Sequence, residues 1–313
     1  MRGFPRRAIF VEKGVRRQMK RKKNLKESFI ELFLTLTGGI SLFITVAIVV
    51  ILLSGALDFF RYVSVKEFFT GTVWAPLLNP SHFGVLPLLV GTSLIALLSS
   101  VISIPIGLAT AIYLSEYAPP RGAKVIKPVL EILAGIPSIV YGYFALTFIT
   151  PVLQKLIPQT EVFNALSASI AVGIMTLPMV VSLSEDAMRS VPNTYRYAAY
   201  ALGSTRLEVA TKVVVPAAMS GIVTSFILAI SRAIGETMIV AIAAGANPQF
   251  TFNPLKSIQT MTGYMVNISL GDIQYGSIAY KTIFAVGTLL FAMTFVMNLI
   301  ARVVADRQRR KYA

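Results

Sequence analysis

Apolar residues occur in six long stretches that short polar segments separate. A helix that crosses a membrane needs about 20 mostly apolar residues, and this length is met at 29–57, 85–114, 128–151, 165–184, 213–245 and 278–304. We therefore predict an all-α polytopic membrane protein with six transmembrane helices. The first stretch exceeds the roughly 7–15 apolar residues of a secretory signal, which predicts a retained membrane anchor.

Composition agrees with this class of protein. Of the 313 residues, 55% are hydrophobic and 14% are charged, whereas about a quarter of the residues are charged in an average soluble domain. The chain has no cysteine and a single histidine. These counts exclude a disulfide framework and a cysteine nucleophile, and they disfavour a Ser-His-Asp enzyme. We predict no catalytic residue and no metal site.

Basic residues lie mainly on one side of the predicted bundle. The segments 1–28, 115–127 and 185–215, together with the tail from Arg302, hold 23 of the 29 Lys and Arg. Cytoplasmic loops of membrane proteins keep such an excess, so we predict a prokaryotic inner-membrane protein with both termini in the cytoplasm. The net charge of +15 then records topology and contact with anionic lipid, and it does not indicate nucleic-acid binding.

The predicted organisation follows from these spans. It consists of a basic cytoplasmic segment (1–28), a first transmembrane helix (29–57), a periplasmic loop (58–84), a core of five spans (85–304) and a cytoplasmic tail (305–313). Trp74, in the periplasmic loop, is expected at the lipid interface, where amphipathic rings collect.

A charged pair interrupts the fifth predicted span. Arg232 and Glu236 stand where a charge costs about 2.5–3.5 kcal/mol at the bilayer centre. Their i,i+4 spacing predicts one helix face on which they can form an ion pair. Packing of two helices would explain the pair, but an intramembrane arginine favours attraction of a passing anion. We therefore predict a substrate pathway of Ser231, Arg232, Glu236 and Thr237.

Glu236 also bears on the kind of anion. The planar fork of arginine suits an oxyanion, and a neighbouring carboxylate repels a fully ionised one unless that anion carries a proton to donate. Hydrogen phosphate has such a proton and sulfate has none. Plain charge compensation of Arg232 is the alternative explanation of Glu236.

Proline and glycine inside the spans predict close packing, kinks or cavity-lining faces. The stretch 135–142 is the best candidate for a broken, pathway-lining segment. Its predicted lining residues are Pro137, Ser138 and Tyr141.

The cytoplasmic connection 185–216 has the pattern of two short helices. The first is followed by Gly203 as a stop, and Pro216 opens the next span. The candidate N-caps are Asn193 or Thr194 for the first helix and Ser204 or Thr205 for the second, which begins at Arg206. An ordinary interfacial loop would explain the helices but not the spacing within them.

That spacing resembles the EAA motif of ABC importer permeases, which is EAA, three residues, G, nine residues and I-x-L-P. Tyr197-Ala198-Ala199 is followed after three residues by Gly203, and after nine more by Val213-Val214-Val215-Pro216. Tyr197 replaces the acidic residue, so the polar contact of that position differs. The resemblance implies that a separate ATPase docks on Tyr197, Ala198, Ala199, Gly203, Arg206, Glu208 and Pro216.

Further segments resemble the phosphate importer permeases, and they lie at 83–92, 105–108, 111–119, 133–142 and 232–238. Two of them are more similar to the PstC than to the PstA subunits of that family. The resemblance covers roughly residues 83–245 and implies the type I ABC importer permease (MetI-like) architecture. It also implies three partners: a PstA-like second permease, a PstB-like ATPase dimer and a periplasmic PstS-like phosphate-binding protein.

No G-x-x-x-x-G-K-[ST] phosphate-binding loop occurs in the chain. We therefore predict no cofactor in this chain, with ATP bound by the partner ATPase. The resulting prediction is a permease subunit of an ATP-driven phosphate importer, which is not an enzyme. Two alternatives remain: a permease of the same architecture for sulfate or molybdate, and a secondary transporter or membrane scaffold in which Arg232 and Glu236 form a proton relay or a packing pair.

Overall fold

The computed structural model describes the backbone of residues 25–312 and the side chains of residues 27–304. Most of the predicted basic segment 1–28 therefore lies outside the described residues. Internal contacts divide the chain into two units, Met1–Ile51 and Leu52–Ala313. In the first unit, helix α1 (Leu25–Phe60) begins, and its apolar side chains are exposed over most of residues 29–51.

The second unit is helical apart from one small hairpin. Strands β1 (Trp74–Ala75) and β2 (His82–Phe83) pair antiparallel, with Trp74 opposite Phe83. The helices after α1 are α2 (Val65–Thr70), α3 (Leu86–Ile112), α4 (Pro120–Gly135), α5 (Ser138–Phe144), α6 (Thr150–Leu156), α7 (Ala165–Arg189), α8 (Asn193–Ala201), α9 (Arg206–Glu208), α10 (Val215–Ile234), α11 (Met238–Ala243), α12 (Met261–Leu270) and α13 (Ile278–Tyr312).

Three π-helical turns extend or join these helices. They are Tyr113–Tyr117 after α3, Ala145–Ile149 between α5 and α6, and Val209–Val214 between α9 and α10. A π turn carries one more residue per turn than an α turn and is frequent at functional sites. The turn after α3 carries the second span to Tyr117, beyond its predicted end at residue 114.

Six helical runs among the described residues are long and apolar enough to cross a membrane, which confirms the predicted number of spans. They are Glu27–Phe60, Leu86–Tyr117, Ser138–Leu156, Ala165–Arg189, Arg206–Ile234 and Ile278–Val304. Apolar length alone therefore predicted the number of spans, because in lipid every backbone polar group must be paired within the segment.

The bounds of the third and fifth spans differ from the prediction. The predicted stretch 128–151 is interrupted at Ile136–Pro137, so the span begins at Ser138 and α4 is a separate helix. The residue before a proline is disfavoured in helical geometry, and Ile136 is extended, with ψ 127. The predicted stretch 213–245 likewise breaks after Ile234, and α11 is a separate short helix.

Helices α3 and α7 form the most extensive helix–helix contact of the second unit, and glycine permits it. A Cβ on Gly107 would lie 2.7 Å from Cγ1 of Val180, and one on Gly173 would lie 3.1 Å from the carbonyl oxygen of Ser99. Small residues let neighbouring membrane helices approach closely. Gly107 and Gly173 therefore allow close helix packing, which is one of the roles predicted for glycines inside the spans.

An aromatic cluster lies at the end of the second unit that carries the β hairpin. Phe59, Phe68 and Phe83 pack edge to face, and Trp74 packs on Tyr264 of α12 with ring centroids 5.0 Å apart. Trp74 is only 3% exposed, so the predicted place at the lipid interface is wrong. The β hairpin turns the indole into the protein core, and an edge-to-face partner stabilises it there.

Gly91 of α3 offers a direct test of this close packing. A Cβ at Gly91 would lie 2.5 Å from the backbone carbonyl oxygen of Gln259. A Cβ at Gly39 of α1 would meet nothing within 4 Å. We expect Gly91→Ala to lower the stability of the purified protein by about 1–3 kcal/mol through overpacking. The same change at Gly39 should be neutral or stabilise by up to about 1 kcal/mol. Thermal unfolding in detergent measures both, and equal effects would contradict the packing.

Candidate functional site

A cleft of about 400 Å³ opens between α4, α7 and α10. Helix α4 contributes Lys127, Leu130, Glu131 and Ala134; α7 contributes Met175, Pro178, Met179, Ser182, Glu185 and Asp186; and α10 contributes Arg232. Arg232 therefore faces an open cleft instead of a packed helix interface.

Arg232 lies in the last turn of α10 and is exposed. Its closest polar contact is a weak one, from Nη2 to Sδ of Met175 at 4.0 Å. Among the described residues, no carboxylate lies within salt-bridge distance of its guanidinium. The guanidinium thus retains its hydrogen-bond donors for a ligand.

The predicted ion pair of Arg232 with Glu236 on one helix face is wrong for this structure. Helix α10 ends at Ile234, and Gly235 turns the chain before Glu236. Oε1 of Glu236 accepts hydrogen bonds from the backbone N–H groups of Met238 (3.1 Å) and Ile239 (3.3 Å). The carboxylate therefore satisfies the first turn of α11, as a capping side chain does. No described side chain is hydrogen-bonded to its other oxygen, Oε2.

The remaining predicted pathway residues lie around this helix break. Oγ of Ser231 is buried without a hydrogen-bond partner among the described residues. Oγ1 of Thr237 donates to the carbonyl of Gly235 at 3.2 Å. Thr262, which sequence reasoning missed, donates from Oγ1 to the carbonyl of Glu236 at 2.6 Å and holds the break against α12. Ser231, Glu236, Thr237 and Thr262 thus all lie at or beside the point where the fifth span is interrupted.

Acidic side chains also line the cleft. Glu185 is buried and pairs through Oε1 with Nζ of Lys127 (3.0 Å) and Nε of Arg189 (2.6 Å). Glu131 and Asp186 have no salt bridge among the described residues. The lining of the cleft thus combines Arg232 with carboxylates, of which Glu185 is neutralised by its two cationic partners.

The second predicted element, the helix unit between the fourth and fifth spans, is present. Gly203 adopts φ +83, a conformation that favours glycine, and ends the turn after α8. Thr205 and Glu208 form a reciprocal capping box at the start of α9. The predicted caps at Asn193 or Thr194 are wrong, because the helix begins at Asn193 after Pro192, which has no side-chain oxygen to accept a bond.

The outer face of this helix unit is exposed and apolar. Ala198 is exposed on α8, whereas Ala199 faces the core. Arg206 is exposed at the start of α9, and Pro216 lies in the first turn of α10. The large exposed side chains of the unit are Tyr195, Tyr197, Tyr200, Leu202 and Leu207. Such a patch marks an interaction surface.

An ion pair that sequence reasoning missed ties this helix unit to the second span. Nε and Nη2 of Arg196 donate to Oε2 and Oε1 of Glu116 at 3.1 and 2.8 Å. The hydrogen bonds to Glu116 raise the pKa of Arg196 above its ordinary value, against the opposing effect of burial. The two residues are 80 positions apart in the chain. The sequence indicated their pairing only through opposite charges in two predicted cytoplasmic connections.

The stretch 135–142 is broken, as the sequence suggested. Pro137 is exposed and Ser138 is partly exposed at the start of α5. Tyr141 is buried, and its hydroxyl donates to the carbonyl of Leu133 across the break at 2.8 Å. Pairing of a freed carbonyl is what a broken helix in lipid requires. A pathway role for Pro137, Ser138 and Tyr141 stays a prediction.

Known sequences agree with the architecture. The profile of the binding-protein-dependent transport system inner membrane component matches residues 103–310. The probable ABC transporter permease protein YqgH of Bacillus subtilis is 36% identical over 247 residues, which cover 79% of this chain and 80% of that protein. The phosphate transport system permease protein PstC of Xylella fastidiosa is 31% identical and covers 78% and 80%. The PstC protein of Haemophilus influenzae is 28% identical and covers 93% and 98%.

Solved structures share the fold at low sequence identity. A bacterial alginate ABC transporter in complex with an alginate pentasaccharide-bound periplasmic protein is 15% identical, with a TM-score of 0.64 over 91% of this chain and 96% of that chain. The inward-facing MetNI methionine ABC transporter is 17% identical, with a TM-score of 0.53 over 72% and 94%. The chain therefore belongs to the family of binding-protein-dependent transport system inner membrane components, which are multi-pass membrane permeases of ABC transporters and not enzymes.

Proposed function

We propose that this permease imports inorganic phosphate as one half of a translocation pathway, with both termini in the cytoplasm. The observation that carries the proposal is Arg232, an arginine inside a span that faces an open cleft and has no carboxylate partner among the described residues. A planar guanidinium binds an oxyanion with two parallel hydrogen bonds. Because Arg232 is exposed to this cleft and is not packed between helices, its charge favours transport over packing.

Relatives support phosphate as the anion. Several of them are phosphate transport system permease proteins PstC, at about 30% identity over most of this chain. By analogy, the partners would be a PstA-like permease, a PstB-like ATPase dimer that binds ATP, and a periplasmic PstS-like binding protein. The relative YqgH carries only a general permease name, so sulfate and molybdate are the competing substrates.

The helix unit of residues 193–208 would receive the ATPase. Its exposed face of tyrosines, leucines and Ala198 suits a groove that closes over small and aromatic side chains. ATP-driven closure of the ATPase would then displace α8 and switch the bundle between inward and outward opening. Such coupling requires contacts that differ between the two states.

Removal of the Arg232 charge tests the substrate. We expect Arg232→Gln to lower uptake of radiolabelled phosphate by about 10- to 100-fold, because charge-assisted hydrogen bonds of about 1.5–3 kcal/mol are lost. Lys281→Gln is the matched control, since Lys281 lies over the ring of Tyr62 at 4.6 Å and outside the cleft. Excess sulfate or molybdate should not compete with phosphate. Competition by either would assign the permease to that oxyanion.

Glu236 tests discrimination between phosphate and sulfate. In Glu236→Gln, the amide oxygen can still cap α11, but a donor NH₂ replaces the free Oε2. The acceptor for a substrate proton is then lost, so preference for phosphate over sulfate should fall by at least about tenfold. Glu131→Gln removes a charge from the cleft without a cap and serves as control. If discrimination in Glu236→Gln matches the wild type, Glu236 only caps the helix.

Ala198 tests the docking surface. We expect Ala198→Glu to lower uptake by about tenfold or more, because a charge would be buried unpaired against the ATPase. Ala198→Ser is the conservative control. Membrane insertion of both variants should match the wild type. Survival of both ATPase pull-down and phosphate uptake in Ala198→Glu would show that the ATPase docks elsewhere.

A further inference from the structure

We propose that the ion pair between Arg196 and Glu116 is a clasp that makes α8 move as one body with the cytoplasmic ends of the second and fourth spans. The proposal rests on the coupling role of the helix unit given above. It adds the residues through which a displacement of α8 would reach the spans. Both are positioning residues, because neither one lines the Arg232 cleft.

The clasp uses all the hydrogen-bonding capacity of the guanidinium. Besides its two bonds to Glu116, Arg196 donates from Nη2 to the carbonyl of Met188 at 2.9 Å and from Nη1 to the carbonyl of Val191 at 2.7 Å. Nη1 also donates to Oδ1 of Asn193 at 3.4 Å. An arginine side chain has five N–H donors in a fixed fork. A lysine would keep the charge but could not make this set of bonds.

These partners belong to three different elements. Glu116 lies in the π turn that ends the second span, Met188 lies in the last turn of α7, and Arg196 lies on α8. Oγ of Ser115 donates to Oε1 of Glu116 at 2.7 Å and holds the carboxylate in place. One guanidinium therefore joins the ends of two spans to the helix that would carry the ATPase.

The pair of Arg196 and Glu116 is buried, in contrast to the exposed ion pair of Lys212 and Glu208 beside the same helix unit. The side chains of Arg196 and Glu116 are 13% and 6% exposed, whereas those of Lys212 and Glu208 are 71% and 43% exposed. Exposed pairs on a helix contribute little, but removal of one partner of a buried pair leaves an uncompensated charge. The two pairs thus provide a functional candidate and a matched control.

Apart from the ion pair of Arg196 and Glu116, helix α8 has few buried contacts that hold it against the spans. Ala199 is the one buried residue among its nine, and an alanine buries only a small apolar area. A displacement applied to the exposed tyrosines of α8 would rotate a helix that is held by apolar contact alone. Directional hydrogen bonds to rigid span ends resist that rotation, so the clasp converts movement of α8 into movement of α3 and α7.

The test compares substrate transported per ATP hydrolysed in the complete transporter, reconstituted in liposomes with its ATPase and binding protein. We expect Arg196→Lys and Glu116→Gln to assemble and to hydrolyse ATP, while phosphate transported per ATP falls about tenfold. Lys212→Gln, which breaks the exposed pair and leaves the capping box of α9 intact, should leave this ratio unchanged. A wild-type ratio in Arg196→Lys and Glu116→Gln would overturn the clasp. Loss of assembly in those two variants alone would assign the pair to stability and would also overturn it.

A covalent replacement of the ion pair provides a second, independent arm. The chain contains no cysteine, so Glu116→Cys with Arg196→Cys can be bridged by a short bifunctional thiol reagent without other targets in this chain. The unbridged double variant should transport about tenfold less per ATP, and bridging should restore most of the ratio. If bridging blocks transport instead, the contact opens during the cycle and the proposal is wrong. A wild-type complex that shows no ATP-dependent phosphate uptake would instead refute the proposed function.

Discussion

Lipid offers no hydrogen-bond partner to a peptide group, and this constraint organises the chain. At the breaks before α5 and α11, a side chain pairs with the freed backbone groups. The Tyr141 hydroxyl reaches the carbonyl of Leu133 across the break before α5. Glu236 receives the first N–H groups of α11, and Thr262 binds the carbonyl of Glu236. Polar residues in the spans thus make irregular backbone tolerable, as membrane proteins require.

Most described carboxylates in the spans or at their ends are paired with a cation or a backbone group, and Arg232 is not. Glu185 is buried and pairs with Lys127 and Arg189, which are themselves half-exposed. Arg232 has no such partner among the described residues, since its guanidinium faces the cleft with only the sulfur of Met175 nearby. An unpaired charge within a span is expensive. A reversibly bound anionic ligand would account for a charge that is left unpaired at that place.

Sequence reasoning succeeded where the governing contact is local. The number of spans follows from apolar length, the stop after α8 from Gly203, and the cap at Thr205 from its place just before the helix that begins at Arg206. It failed where tertiary packing decides. A helix was predicted through Glu236, because nothing in the hydropathy distinguishes a break from a continued span. Trp74 was placed in lipid because its edge-to-face partner lies 190 positions away, at Tyr264.

The π turn at Tyr113–Tyr117 holds one extra residue at the end of the second span, while the α-helical residues of α3 before it keep their orientation. Loss of one residue within the turn would be absorbed by a return to ordinary α-helical pitch. An added or lost residue in the regular part of α3 has no such turn to absorb it, and it would rotate the following side chains by about 100°. The second span can therefore accommodate a change of length at its π turn that it cannot accommodate in the middle of α3.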